Sequence, residues 1–224
     1  MRLNDNKKRY QCSSMLIQKL LALDVLPVLI FPGMDISAVV SECDGCIISG
    51  GDDVDPMLYG QRTQPQTVCE DPTIEALDIA CIRQCEKQHK PLFCLCRGIQ
   101  ILAVVYGAPL VQHVDRHMNT THSLQLLPYS FLHHCSQTKV NSHHHQALAC
   151  CPRGFRISAL SEDGVIEAIE KERVFAVQWH PELMENDECL RFFTKYILAE
   201  KEHQNQDRSP SRITLDSHDF TELR

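Results

Sequence analysis

A chain of 224 residues with 43% hydrophobic and 23% charged side chains can bury a substantial core as one soluble domain. Its formal net charge of −7, with both signs mixed along the chain, offers no basic stripe to follow a phosphate backbone, so nucleic acid is not an expected partner. No apolar run approaches the roughly 20 residues that span a bilayer, and the polar start "MRLNDNKKRY" lacks the apolar segment of a secretory leader, so a cytoplasmic protein without membrane contact is expected.

After that opening, Ser13 or Ser14 can cap a helix whose apolar positions Leu16, Ile17, Leu20, Leu21 and Leu23 follow helical spacing. "VLPVLIF" (25–31) then reads as a buried strand despite its proline. "CIISGG" (46–51) reads as a second strand, ending in paired glycines and a loop, "DDVDPMLYG", rich in turn formers. In "DPTIEALDIACIRQCEKQ" (71–88), Asp71, Pro72 and Thr73 supply helix-start signals, and Ile74, Leu77, Cys81 and Cys85 share one face. "PLFCLC" is a short buried strand, and "RGIQILAVVYG" continues as an apolar helix closed by Gly107. Between 121 and 180, "THSLQLLP", "TKVNSHHHQAL", "FRISALS", "GVIEAIEK" and "RVFAVQWHPE" read as successive strands. "ENDECLRFFTKYILAEKEH" closes the fold as an amphipathic helix. Residues 1–202 thus form a single domain, with 203–224 expected to be a polar, mobile tail.

Twelve cysteines in a long chain, many inside apolar runs, read as mostly free thiols acting as small hydrophobes. Cys96 is different. It stands at a strand-to-helix turn before Arg97 and Gly98, where a side chain is exposed and the next backbone N–H is open to an oxyanion. The helix's positive end and a cationic neighbour both favour the reactive thiolate. A nucleophilic thiol needs a base and the base an orienting group. "QWHPE" offers His180 and Glu182, which point the same way if the segment stays extended. Cys43 and Cys46 have ligand spacing but no second pair follows, and an alternating strand sends His143, His144 and His145 to opposite sides, so no metal is expected. "DDVDP" lacks a calcium loop's length and terminal glutamate, and reads as a solvated loop near the site.

"CRGIQ" with "VQWHPE" resembles the class I glutamine amidotransferases, and "DGCIISGGDDVDPMLYG", "PLFCLCRGIQIL", "VNSHHHQAL" and "FAVQWHPE" together are similar to the gamma-glutamyl-gamma-aminobutyrate hydrolases, the C26 peptidases, from about residue 14 to about residue 200. The resemblance implies an α/β, flavodoxin-like fold: a mainly parallel central sheet with helices on both faces and an additional strand-rich segment. It implies a Cys96–His180–Glu182 triad that hydrolyses small γ-glutamyl amides through a glutamyl thioester, without a cofactor. The oxyanion would be held by the backbone N–H of Gly51 and Arg97, and the glutamyl end recognised by Gln100, Ser142 and His143. A homodimer is compatible with the resemblance; a synthase partner is not indicated.

Two departures stand out. Family members open with a short apolar strand before the first helix, whereas here a polar segment stands there, so that strand is expected to be lost or to lie upstream. They also carry glycine two residues before the nucleophile, where Cys94 stands and could crowd the turn or trap an oxidised Cys96. Two alternatives stay in view: a glutaminase subunit feeding ammonia to a synthase, and, if these departures spoil the site, a catalytically silent binding protein.

Overall fold

The computed structural model describes residues 2–3, 10–136, 138–186 and 188–207. A two-residue ladder joins β1 (Arg2–Leu3) to β2 (Tyr10–Gln11), followed by α1 (Ser14–Ala22), α2 (Ile36–Glu42), β3 (Cys46–Ile48), α3 (Pro72–Lys87), β4 (Leu92–Leu95) and α4 (Arg97–Val105). Then come β5 (Leu110–Val111), β6 (Thr120–Leu126), β7 (Lys139–Ser142), β8 (Ala147–Leu148), β9 (Arg156–Ser161), β10 (Ile166–Lys171), β11 (Val174–Val177) and α5 (Glu188–Asp207). Caps stand where side-chain chemistry puts them: Ser13 accepts from the Leu16 N–H, and Asp71 accepts from the Thr73 N–H with Pro72 in the first turn of α3.

The main sheet has seven strands in the order β3-β4-β11-β10-β9-β6-β7. Its β3-β4-β11 end is parallel, and its remaining ladders are antiparallel. Strand β4 shows why this is an α/β fold with helices on both faces. All four of its residues are buried, and they alternate: Leu92 and Cys94 join a cluster with Leu77, Cys81 and Leu102 of α3 and α4, while Phe93 and Leu95 join one with Leu16, Leu20 and Phe193 of α1 and α5. All twelve cysteines are free, and seven of them are buried, in keeping with their reading as apolar side chains.

Three expectations change. "VLPVLIF" is not a strand: 25–31 lacks regular structure, and Leu26 is 83% exposed. A strand needs a ladder partner, and 25–31 enters no ladder among the described residues; Pro27 removes a donor besides. No described segment before α1 enters the main sheet. Helix α2, capped by Asp35, was not legible as a separate element. Helix α5 runs to Asp207, past the expected start of the tail; residues 208–224 lie outside the described residues. Among the described residues no helix is long and apolar enough to cross a membrane.

The parallel strands hold α4 very close. A Cβ on Gly98 would lie 2.4 Å from the Ile48 carbonyl oxygen of β3 and 3.3 Å from the Cys94 Cβ. Gly98→Ala is therefore expected to cost about 1–3 kcal/mol through backbone displacement, visible as a lower urea midpoint. Its proximity to Cys94 also shows how the bulkier residue is accommodated: Cys94 packs into the core at 0% exposure, above a helix residue that has no side chain.

Candidate active site

The turn between β4 and α4 carries Cys96 as the residue that caps the helix, at φ 50° and ψ −109°. A positive φ is costly for a residue with a Cβ, by about 1–3 kcal/mol, and persists where surrounding structure enforces it. Here the Cys96 N–H donates to the Val177 carbonyl of β11 at 2.9 Å, anchoring the turn to the sheet. Arg97 begins the helix, where first-turn N–H groups have no acceptor within the helix.

The chain returns on β11 and presents His180. Its Nδ1 lies 2.8 Å from Glu182 Oε1, and the carboxylate is buried. The pair does not form by extended i, i+2 geometry as expected. Pro181–Leu183 is a 3₁₀ turn capped by His180, and that turn brings the carboxylate back to the ring. Asn141 of β7 grips the same residue from the other side: its Nδ2 donates to the His180 carbonyl at 2.8 Å and its Oδ1 accepts the His180 N–H at 2.9 Å. Gly50 lies under the imidazole, where an added Cβ would stand 2.8 Å from His180 Cε1 and 3.6 Å from the Cys96 Cβ. Cysteine, glycine and histidine are thus stacked in contact.

Burial pulls the His180 imidazolium down, but hydrogen bonding and charge from Cys96 and Glu182 outweigh it and raise the group to about 10. An unfolded histidine titrates near 6.5. Between these values the folded chain holds a proton that the unfolded chain has lost, so this contribution to stability is complete below about pH 6.5 and declines as pH rises towards about 10. Urea midpoints measured across that window are expected to fall with pH, and to fall less steeply in a Glu182→Gln variant.

Arg97 departs from its expected role as a cation beside the thiol. Its guanidinium is buried against α3, with Nη1 2.5 Å from Asp78 Oδ2 and Nη2 3.4 Å from Glu75 Oε1. Two carboxylates therefore balance its charge. Cys94 packs in the core cluster with residues of α3 and α4, and burial holds its thiol well above the ordinary range, which disfavours the thiolate.

A cavity of about 220 Å³ opens beside Cys96, small against the roughly 300–1,000 Å³ of drug-sized sites. Gly51, Arg97, Gln100 and His143 line it, as do Asp52 and Asp53 of the loop expected near the site, His145, and Met118, which sequence reasoning had not singled out. Ser142 does not line it. It is fully buried, its hydroxyl donating to the His117 carbonyl at 2.7 Å. Gln100 reaches the cavity wall, but its Nε2 is committed to the Gln146 carbonyl at 2.9 Å and Gln178 Oε1 at 3.3 Å. Glu70, also not anticipated, shapes the glycine loop: Oε2 accepts the Asp52 N–H at 3.0 Å, Oε1 accepts the Asp71 N–H at 3.0 Å, and a Cβ on Gly51 would stand 2.5 Å from Oε2.

Comparison with known proteins decides the family. Residues 3–182 match the Peptidase C26 family. The chain belongs to the peptidase C26 family. It is 35% identical over 167 residues to Protein NtpR of Enterococcus hirae, covering 66% of this chain and 70% of that protein. It is 29% identical over 192 residues to the gamma-glutamyl-gamma-aminobutyrate hydrolase PuuD of Escherichia coli K12, covering 74% and 75%. A solved glutamine amidotransferase from Methylobacillus flagellatus superposes with a TM-score of 0.55 at 17% identity, covering 85% of this chain and 74% of that one. At that identity the likeness speaks for the fold, a glutamine amidotransferase-like α/β domain.

Proposed function

We propose that this C26 protein is a cysteine-dependent hydrolase of small γ-glutamyl amides, such as γ-glutamyl-GABA, with Cys96, His180 and Glu182 as its triad. The observation that carries the reading is the strained turn at Cys96 facing an imidazole whose other nitrogen is 2.8 Å from a buried carboxylate. That geometry is what nucleophilic acyl transfer needs.

The Cys96 sulfur attacks the γ-carbonyl carbon, and the carbonyl oxygen takes up the negative charge. The backbone N–H groups of Gly51 and Arg97 hold that oxygen; losing one such donor typically costs about 10²–10³ in kcat. As the intermediate collapses, the C–N bond breaks and the imidazolium of His180 passes its proton to the departing amine, leaving a glutamyl thioester. The now neutral His180 takes a proton from water, whose oxygen attacks the thioester; glutamate leaves and the sulfur is restored. Glu182 holds the ring's tautomer throughout. His143 contacts the glutamyl end, while Gln100 and Ser142 act one step away, through the Gln146 and His117 carbonyls that shape the loop.

Glutamate release from γ-glutamyl-GABA, other γ-glutamyl amines and glutamine tests the reading. Turnover of a γ-glutamyl amine by the isolated protein is the expected result. Release from glutamine alone, and only with an added synthase, would indicate an ammonia-supplying subunit. No turnover and no trapped thioester with any substrate would indicate a binding protein.

A further inference from the structure

Beneath the cavity, and outside the proposed triad, three histidines surround a glutamate with no exposed surface. His117 lies in the loop before β6, His122 on β6, His144 between β7 and β8, and Glu167 on β10, where the pairing with β9 shifts register. Such a bulge re-aims a side chain. We propose that His117, His122, His144 and Glu167 form a closed tetrahedral site for one Zn2+ ion, which fastens the histidine-rich loop lining the cavity to the sheet.

The distances from Glu167 are close to those an ion sets between its ligands. Glu167 Oε1 lies 3.2 Å from His122 Nε2, 3.5 Å from His117 Nδ1 and 3.7 Å from His144 Nε2, and the four donor atoms all lie within 4.8 Å of one another. Zinc–nitrogen and zinc–oxygen bonds of about 2.0–2.1 Å place tetrahedral ligands about 3.3–3.4 Å apart. These groups are close without being hydrogen-bonded. Both Glu167 oxygens, His144 Nε2 and both His122 nitrogens are buried without a hydrogen-bond partner, an arrangement that a shared cation relieves.

The outer contacts orient the donors as metal-bound histidines require. His144 Nδ1 is 2.9 Å from the Gln146 carbonyl, to which it must donate, so the lone pair of Nε2 faces Glu167. His117 Nε2 lies 3.3 Å from both oxygens of Asp163, which itself accepts from the Ser161 hydroxyl at 2.6 Å. Ser142 Oγ stands 3.4 Å from His117 Nδ1, but its proton goes to the His117 carbonyl, so it does not supply that nitrogen with a donor. Three imidazoles and one carboxylate match zinc's preference for nitrogen and oxygen donors, and four protein ligands leave no open position, as in structural sites.

The full chain, prepared without a histidine tag, should carry about one zinc per molecule by mass spectrometry of its metal content. Its Tm should fall with chelator and recover with added Zn2+. Glu167→Gln should lose the metal. Asp163→Asn changes a half-exposed outer contact and should fold, with zinc affinity about 10–100-fold weaker in competition with a chromophoric chelator. A Co2+ form should show tetrahedral visible absorption without a sulfur charge-transfer band. Wild-type protein whose Tm ignores both chelator and Zn2+ overturns the assignment. So does a sulfur charge-transfer band, which would put the metal on cysteines, or wild-type zinc affinity in Asp163→Asn and His122→Asn together.

Discussion

Cys96→Ala is expected to lower the turnover of γ-glutamyl amides by about 10⁴- to 10⁶-fold while leaving substrate affinity within a few-fold. The size follows from the division of labour. Without sulfur no thioester forms, and only positioning and the oxyanion donors remain to favour direct attack by water. The affinity follows from the cavity, whose lining includes Gly51, Gln100 and His143 beside the thiol, so the substrate keeps those contacts. The variant should also fold, because the turn is held by the Cys96 N–H to the Val177 carbonyl, a backbone bond that alanine preserves. It should nevertheless lose part of the proton affinity of His180, which the thiol helps to raise. Stopped-flow and steady-state glutamate release, paired with calorimetric titration of a slow substrate, separate the two effects. Equal turnover by wild type and variant would overturn the triad.

The two halves of the proposed triad were legible because each is local. A strand, a turn and a helix meet within "PLFCLCRGIQIL", and the histidine and its carboxylate stand two residues apart in "QWHPE". What the sequence hid depends on partners far along the chain. Arg97 read as a cation beside the thiol, but Glu75 and Asp78, one turn apart on α3, face it and take its charge. Their interruption of an otherwise apolar helix face was the available signal. Asn141 sat unremarked beside the histidine run, since its double hydrogen bond to His180 exists only once β7 and the turn after β11 are side by side. "VLPVLIF" failed for the opposite reason: hydrophobicity reports that a strand could be buried, not that another strand is there to pair with it. The four residues under the cavity come from separate segments, and adjacent histidines in sequence hid the fact that His144 alone among the three turns to Glu167.

Glu182→Gln tests the other half of the triad, and its expected effect is a fall in kcat of about 10²–10⁴-fold with KM little changed. Wild-type Glu182 accepts from His180 Nδ1 at 2.8 Å, which requires the proton on that nitrogen and directs Nε2 towards Cys96. An amide in the same place can turn its NH₂ to Nδ1 and stabilise the opposite tautomer, with Nε2 protonated and unable to take a proton from water in the second half-reaction. It also removes one of the two groups that raise His180, leaving Cys96 alone to oppose burial. The acid that must protonate the leaving amine is then scarcer at neutral pH, so the variant's residual activity should decline at lower pH than that of wild type. Glu182 Oε2 has no hydrogen-bond partner among the described residues, so the substitution breaks no second interaction that could account for the loss. A purely structural role would lower Tm and leave the pH profile in place. A displaced profile with a smaller kcat and unchanged KM instead identifies the carboxylate as the group that holds and charges the imidazole.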